Sequence, residues 1–253
     1  MRWRVVASPF SSERAFFGAA LLFFAGGLAY TVRMSASMSM PWMRMPGQSW
    51  PGIAAAFLGM WLAMMIAMML PSLLPMLWRY RRAIGGRGEA HLDWLAGVVG
   101  AGYFTVWGAF GMAVFALGLA VATVQVWPPV MARGLPYALA ALPLIAGTLQ
   151  FTGWKARRMH CCRSCPGRDR ILPAEVGAAW RYGLRCGLDC SYCCLGLTAV
   201  LLTLGPMDLR VMAMVTLAIT AERVAPASER IARVIGAILM AIGLLLLARA
   251  CGF

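Results

Sequence analysis

Seven of the eight cysteines in the 253-residue chain fall between Cys161 and Cys194, and this crowding is the strongest chemical signal in the sequence. The upstream group reads His160-Cys161-Cys162-Arg163-Ser164-Cys165 and contains a C-x-x-C. The downstream group is Cys186, Cys190, Cys193 and Cys194, with a second C-x-x-C. Residues three and four apart share a helix face, so Cys186, Cys190 and Cys193 or Cys194 are expected to form a stripe. Three chemistries suit such a stripe. Cysteine is a small apolar residue that packs between membrane helices. A C-x-x-C pair can run thiol–disulfide exchange, because the spacing lowers a thiol pKa. Thiolates, with His160 as a nitrogen ligand, can also hold a soft metal ion, and the spacing fits Zn²⁺ or Cu(I) although the doublets match no single zinc signature. Four cysteines on one face beside three more favour the metal reading.

Methionine adds a second sulfur pattern. Met34, Met38, Met40, Met43 and Met45 lie within twelve residues, with two M-x-M pairs, in a polar segment that offers no core to pack into. The thioether is a Cu(I) ligand that remains usable in an oxidising compartment; the alternative is an interfacial loop whose Met and Trp42 rest on lipid. Further on, Met60, Met64 and Met68 recur at spacing four, with Met65 and Met69 beside them. A Met stripe at helical spacing serves packing as readily as a pathway. Thioethers at one end and thiolates at the other follow the order of rising Cu(I) affinity that inward delivery needs.

These residues must be positioned by membrane helices. The chain is 61% hydrophobic and 13% charged, with a mean hydropathy of +0.74, against about 25% charged residues in an average soluble domain. That excludes a soluble globule, a disordered chain and a fibre. A spanning helix needs about 20 mostly apolar residues. Seven segments qualify: Ala15–Val32, Gly52–Trp78, Leu95–Val126, Leu135–Trp154, Gly183–Leu204, Met207–Val224 and Ile231–Ala250. The first is read as a span rather than a cleavable signal peptide, since no small-residue cleavage site follows it. Pro71, with Pro75 one turn on, is expected to break or kink the second near its end.

Of the 23 Lys and Arg, 18 precede the first segment or follow the second, fourth and sixth. By the positive-inside rule this puts the N-terminus in the cytoplasm and the C-terminus outside. The cysteines then face the reducing side, where disulfides do not persist. The net charge of +14 is carried by Arg residues flanking spans, which implies contact with anionic lipid head groups rather than nucleic acid. No nucleotide-binding loop is present, so any transport is passive, coupled to a gradient or driven by a partner. His91 and His160, the only histidines, both fall on cytoplasmic loops, which excludes a bis-His haem within the bilayer.

Acidic groups in a membrane default to a functional reading. Asp189 sits among the cysteines, where Arg185, four residues back, offers a structural ion pair. Asp208 opens the sixth segment, and Glu222 lies at its far end beside Arg223, as an interfacial pair or within reach of the cysteines.

Several segments carry a family resemblance: Met64-Met65-Ile66-Ala67-Met68-Met69-Leu70-Pro71; Gln150-Phe151-Thr152-Gly153-Trp154-Lys155 leading into Cys162-Arg163-Ser164; Gly187 to Cys194; Gly205-Pro206-Met207-Asp208; and Glu222-Arg223. With them the chain resembles an uncharacterised bacterial family of predicted metal-binding integral membrane proteins, a domain of unknown function, over most of its length. The resemblance implies metal binding and supplies no mechanism. It departs at Asp208, Arg223 and Leu195 and in the spacing of the loop cysteines, which moves the weight to Cys190, Cys193 and Cys194.

The sequence therefore predicts an all-α polytopic bundle of about seven spans in the bacterial inner membrane. It forms a single domain, 1–253, with a Met-rich external loop at 33–51 and a Cys-rich cytoplasmic loop at 155–182. The expected cargo is Cu(I), with Zn²⁺ the second candidate. Met38, Met40, Met43 and Met45 collect the ion. Met64, Met65, Met68 and Met69, near the Pro71 bend, line its passage. Cys190, Cys193 and Cys194 hold it, helped by Cys186, Cys161, Cys162, Cys165 and His160. The expected partners are the lipid bilayer, the metal ion, and a metallochaperone or membrane enzyme. No enzymatic activity is expected. Two alternatives stay open: a thiol oxidoreductase exchanging Cys162–Cys165 with Cys190–Cys193, and a metal-binding accessory subunit of a membrane enzyme that does not transport.

Overall fold

The computed structural model describes residues 9–37, 49–84, 88–124, 134–164, 175–205 and 208–252. Among them are eight helices and no strand: α1 (Pro9–Ser37), α2 (Trp50–Ala83), α3 (Glu89–Val124), α4 (Leu135–Gln150), α5 (Gly153–Ser164), α6 (Val176–Leu204), α7 (Leu209–Val224) and α8 (Ser228–Ala250). Within the described residues the seven apolar segments are helical, the fourth interrupted by a turn at Phe151 and Thr152. Five stretches are long and apolar enough to cross a membrane: Glu13–Ser35, Trp50–Ala83, Ala90–Ala120, Val176–Leu204 and Ser228–Ala250. The fourth and sixth segments give only 16 helical residues each, in α4 and α7. At 1.5 Å per residue such a helix is about 24 Å long, short of a hydrocarbon core of about 30 Å.

The sequence marks several helix ends. Ser49 caps α2 by accepting from Gly52 N, with Pro51 in the first turn. Asp208 caps α7 by accepting from Arg210 N and Val211 N, the short acceptor an N-terminus calls for. Pro71 and Pro75 do not break α2, which runs through both to Ala83. Each proline removes one amide donor and crowds the carbonyl one turn back, and the packing of this helix offsets both: Met64, Met65, Met68, Met69, Leu73 and Tyr80 are all buried.

The expected loop at 155–182 also differs. Its first part is α5 and its last part opens α6, which starts at Val176 rather than Gly183; residues 165–174 lie outside the described residues. The chain leaves α4 through a tight turn at Phe151 and Thr152. There Thr152 Oγ1 accepts from Lys155 N at 3.3 Å, so the turn starts α5 in a new direction and carries Lys155 inward.

Helix α6 occupies the centre, against α3, α4, α5 and α7, while α2 joins α1, α3 and α7. The approach of α3 to α6 is backbone-close. A Cβ at Gly183 would collide with Val99, and one at Gly187 would lie 2.9 Å from Tyr103 O. Small residues at such crossings let membrane helices come close enough for packing and hydrogen bonding. The outer surface is apolar: Leu21, Leu22, Phe23, Leu217, Leu244 and Leu245 are each more than half exposed, as suits helices solvated by lipid.

Candidate metal centre

The stripe expected on α6 exists. Cys186, Cys190, Cys193 and Cys194 are all buried and all free thiols. Cys190 Sγ and Cys194 Sγ, one turn apart, stand 3.8 Å from each other. Cys194 also interacts with the side chain of Cys193. From α3, the fully buried Tyr103 hydroxyl donates to Cys190 Sγ at 2.8 Å. The glycine contacts at Gly183 and Gly187 hold α3 near enough for this bond to form.

Two sulfurs bound to one d¹⁰ ion through bonds of about 2.3 Å, in tetrahedral or trigonal geometry, stand roughly 3.8–4.0 Å apart. The Cys190–Cys194 pair has that separation. Among the described residues, no group of three or more His, Cys, Asp and Glu is arranged to hold a metal ion. What the structure brings together is therefore a thiol pair with Cys193 beside it, a smaller cluster than the sequence led one to expect.

A buried charged network flanks the thiols. Lys155, reaching in from α5, donates to Cys193 O at 2.6 Å and to Glu222 Oε2 at 2.9 Å. Gln150 Nε2, at the end of α4, donates to Glu222 Oε1 at 2.7 Å. Both carboxylate oxygens are thus engaged, and Glu222 is 1% exposed. A charge taken out of water is tolerated only when paired and hydrogen-bonded, and four helices meet here to satisfy one. Burial pulls the Lys155 pKa down, but neighbouring Cys193 and Glu222 outweigh this and leave it above its ordinary value. Next along α7, Arg223 Nη1 donates to Ser72 Oγ on α2 at 2.8 Å. Ser72 in turn donates to Met69 O at 2.9 Å, which ties the Met-rich stretch of α2 to the same region.

Two ion pairs differ from the expected ones. Asp189 pairs with Arg158 of α5 at 3.3 Å, not with Arg185, which is exposed. On a helix the i–4 partner competes with any side chain a neighbouring helix offers, and here α5 lies across α6 with the Arg158 guanidinium also 5.1 Å from the Tyr192 ring. Glu222 pairs with Lys155 rather than with adjacent Arg223, because consecutive helical residues point in different directions.

The other candidate ligands divide three ways. Met64, Met65, Met68 and Met69 are buried in the apolar core that also contains the α6 cysteines. His160 is exposed on α5, and Cys161 and Cys162 lie on the same helix, where the backbone alone is described. Cys165, Met38, Met40, Met43 and Met45 lie outside the described residues.

Tyr103, Gln150, Lys155 and Ser72 were not singled out as functional from the sequence. Two of them carried a visible signal: Gln150 and Lys155 stand at the two ends of one of the segments that carry the family resemblance, and Lys155 is the only lysine in the chain.

No curated protein and no solved structure matches the chain. Residues 58–246 match the family PpoB2, described as copper chaperone. The matched stretch contains the α2 methionines, Tyr103, Lys155, the α6 cysteines and the Glu222–Arg223 pair, and on that match the chain belongs to the PpoB2 copper chaperone family.

Proposed function

We propose that this protein is an integral membrane carrier of Cu(I) that binds the ion at the Cys190–Cys194 thiol pair and hands it on. The observation that carries the reading is the 3.8 Å separation of the two sulfurs inside the helical core of a copper chaperone family member. Soft thiolates favour Cu(I), and the 3.8 Å separation suits a trigonal ion that takes a third sulfur from Cys193 or an α2 thioether, whereas structural zinc takes four ligands. Zn²⁺ is the second candidate cargo.

In this reading the helices cross the bacterial inner membrane seven times, with the N-terminus in the cytoplasm, as the distribution of basic residues supports. The short α4 and α7 are accommodated by local thinning of the bilayer and by their contacts with α6 and α8. Met38, Met40, Met43 and Met45 collect the ion outside, and Met64, Met65, Met68 and Met69 pass it along α2. Cys190 and Cys194, with Cys193 and Cys186 nearby, retain it on the cytoplasmic side. Cys161, Cys162, Cys165 and His160 offer it to a metallochaperone or a membrane enzyme.

Elemental analysis of the protein purified under reducing conditions tests this reading. About one copper per chain is expected, falling to background in Cys190→Ser and Cys194→Ser. Copper-free protein carrying a redox-active Cys190–Cys193 disulfide would favour the oxidoreductase instead.

A further inference from the structure

Cys193 borders a cavity that opens to the surface of the bundle. The space, about 160 Å³, lies between the end of α4 and the middle of α6, with Cys193 and Lys155 in its inner lining. Leu149, Trp154 and Tyr192 form its outer wall and are 37%, 36% and 46% exposed, so the cavity leads from the surface inward to a sulfur. Lys155 is fixed there, since it donates to Cys193 O at 2.6 Å.

The mouth is built from two aromatic rings with one cation across both. The Arg158 guanidinium stands 5.9 Å from the Trp154 ring and 5.1 Å from the Tyr192 ring, within the reach of a cation–π contact. Its other partner is Asp189, at 3.3 Å. Tryptophan and tyrosine gather where lipid meets water, and an ion pair beside them fits the same level. In the topology proposed above this is the cytoplasmic, reducing side.

Such a space suits one chemistry. It holds several waters, at about 30 Å³ each, and so admits the CH₂–SH end of a small thiol but not a folded domain. Cys193 is three residues from Cys190 on the same helix, so the two side chains are neighbours. A thiolate reaching Cys193 therefore arrives beside the ion held by Cys190 and Cys194. Exchange then needs no naked Cu(I). The incoming sulfur forms a metal–sulfur bond, a protein sulfur gives up its own, and the released thiolate takes up the proton that the incoming thiol lost. No electron changes hands.

We infer that this cavity is a thiol-exchange port, through which a small thiol compound enters and takes Cu(I) from the buried sulfurs by way of Cys193. The inference rests on the thiol pair holding Cu(I). It adds a second class of acceptor to the partners already proposed: a small free thiol.

The test uses the full chain in detergent, loaded with Cu(I) under a non-thiol reductant. It is mixed with a bulky disulfonated phenanthroline chelator, and transfer is followed by absorbance at rising concentrations of free cysteine. In the wild type the rate is expected to rise with cysteine. Leu149→Trp, which narrows the mouth, should slow cysteine-dependent transfer by roughly tenfold, the change that about 1.4 kcal/mol of added barrier makes. Trp154→Ala, which widens it, should speed transfer, and equilibrium Cu(I) affinity stays the same in both. Metal-free wild type gives a second readout that needs no variant to fold: methyl methanethiosulfonate, small enough to enter, should label Cys193 before Cys190 and Cys194, as read by mass spectrometry. Transfer that ignores cysteine, rim variants that change nothing, or equal labelling of the three thiols overturns the inference while the thiol-pair reading stands. A wild type that binds no Cu(I) overturns both.

Discussion

The Tyr103 hydroxyl donates to the Cys190 thiol at 2.8 Å, across a helix crossing that only glycine permits. A donor aimed at a sulfur stabilises that sulfur as a thiolate and fixes where its lone pairs point. Tyr103→Phe keeps the ring and removes the donor. It is expected to lower Cu(I) affinity by about three- to tenfold, in line with a net hydrogen-bond contribution of about 1 kcal/mol, while thermal stability in detergent changes little. Competition against a Cu(I) chelator of known affinity measures it; unchanged affinity removes Tyr103 from the site.

Gly187 sets the distance on which that bond depends. Gly187→Ala places a methyl 2.9 Å from Tyr103 O, and the resulting overpacking is expected to cost about 1–3 kcal/mol. Copper affinity should fall with it. Gly177→Ala on the same helix meets nothing and is expected to leave both unchanged. Unfolding temperature and copper affinity, measured on both variants, check this contrast.

Much of this was legible in the sequence, for reasons specific to each element. Cysteine spacings of three and four forced the α6 stripe inward once α6 was helical, and the short oxygen of Asp208 marked the start of α7. The polar network was not legible, because its members lie far apart in sequence and meet only when α4, α5, α6 and α7 pack. Gln150 is 72 residues from Glu222 and Tyr103 is 87 from Cys190. The turn at Thr152 also went unforeseen: hydropathy alone ran the fourth segment on to Trp154, whereas one side-chain cap redirects the chain and delivers Lys155 to the interior. Local preference for an i–4 partner misassigned Asp189 for the same reason, since α5 lies across it in space and not in sequence.

Lys155 and Glu222 are mutually dependent. Lys155→Met leaves a carboxylate that is 1% exposed without its cation, and a loss of about 3–5 kcal/mol is expected. The double variant Lys155→Met with Glu222→Gln should recover much of that loss. Thermal unfolding of the wild type, Lys155→Met, Glu222→Gln and the double variant measures it, and additive single effects would show that the two do not act as a pair.

The α2 methionines separate packing from passage. Replacing Met64, Met65, Met68 and Met69 by Leu conserves volume, at a cost of less than about 1.5 kcal/mol each, and removes every thioether from that stretch. Copper uptake by cells is expected to fall while the purified protein still binds Cu(I) at Cys190 and Cys194. Normal uptake in the quadruple variant assigns these residues to the core alone.

The central claim is that Cys190 and Cys194 bind Cu(I) directly. X-ray absorption at the copper edge of the loaded, purified protein tests it most directly. The expected result is a monovalent edge with a sulfur shell of low coordination number, lost in the Cys190→Ser, Cys194→Ser double variant. A nitrogen and oxygen shell, or a sulfur shell that survives the double variant, would contradict it.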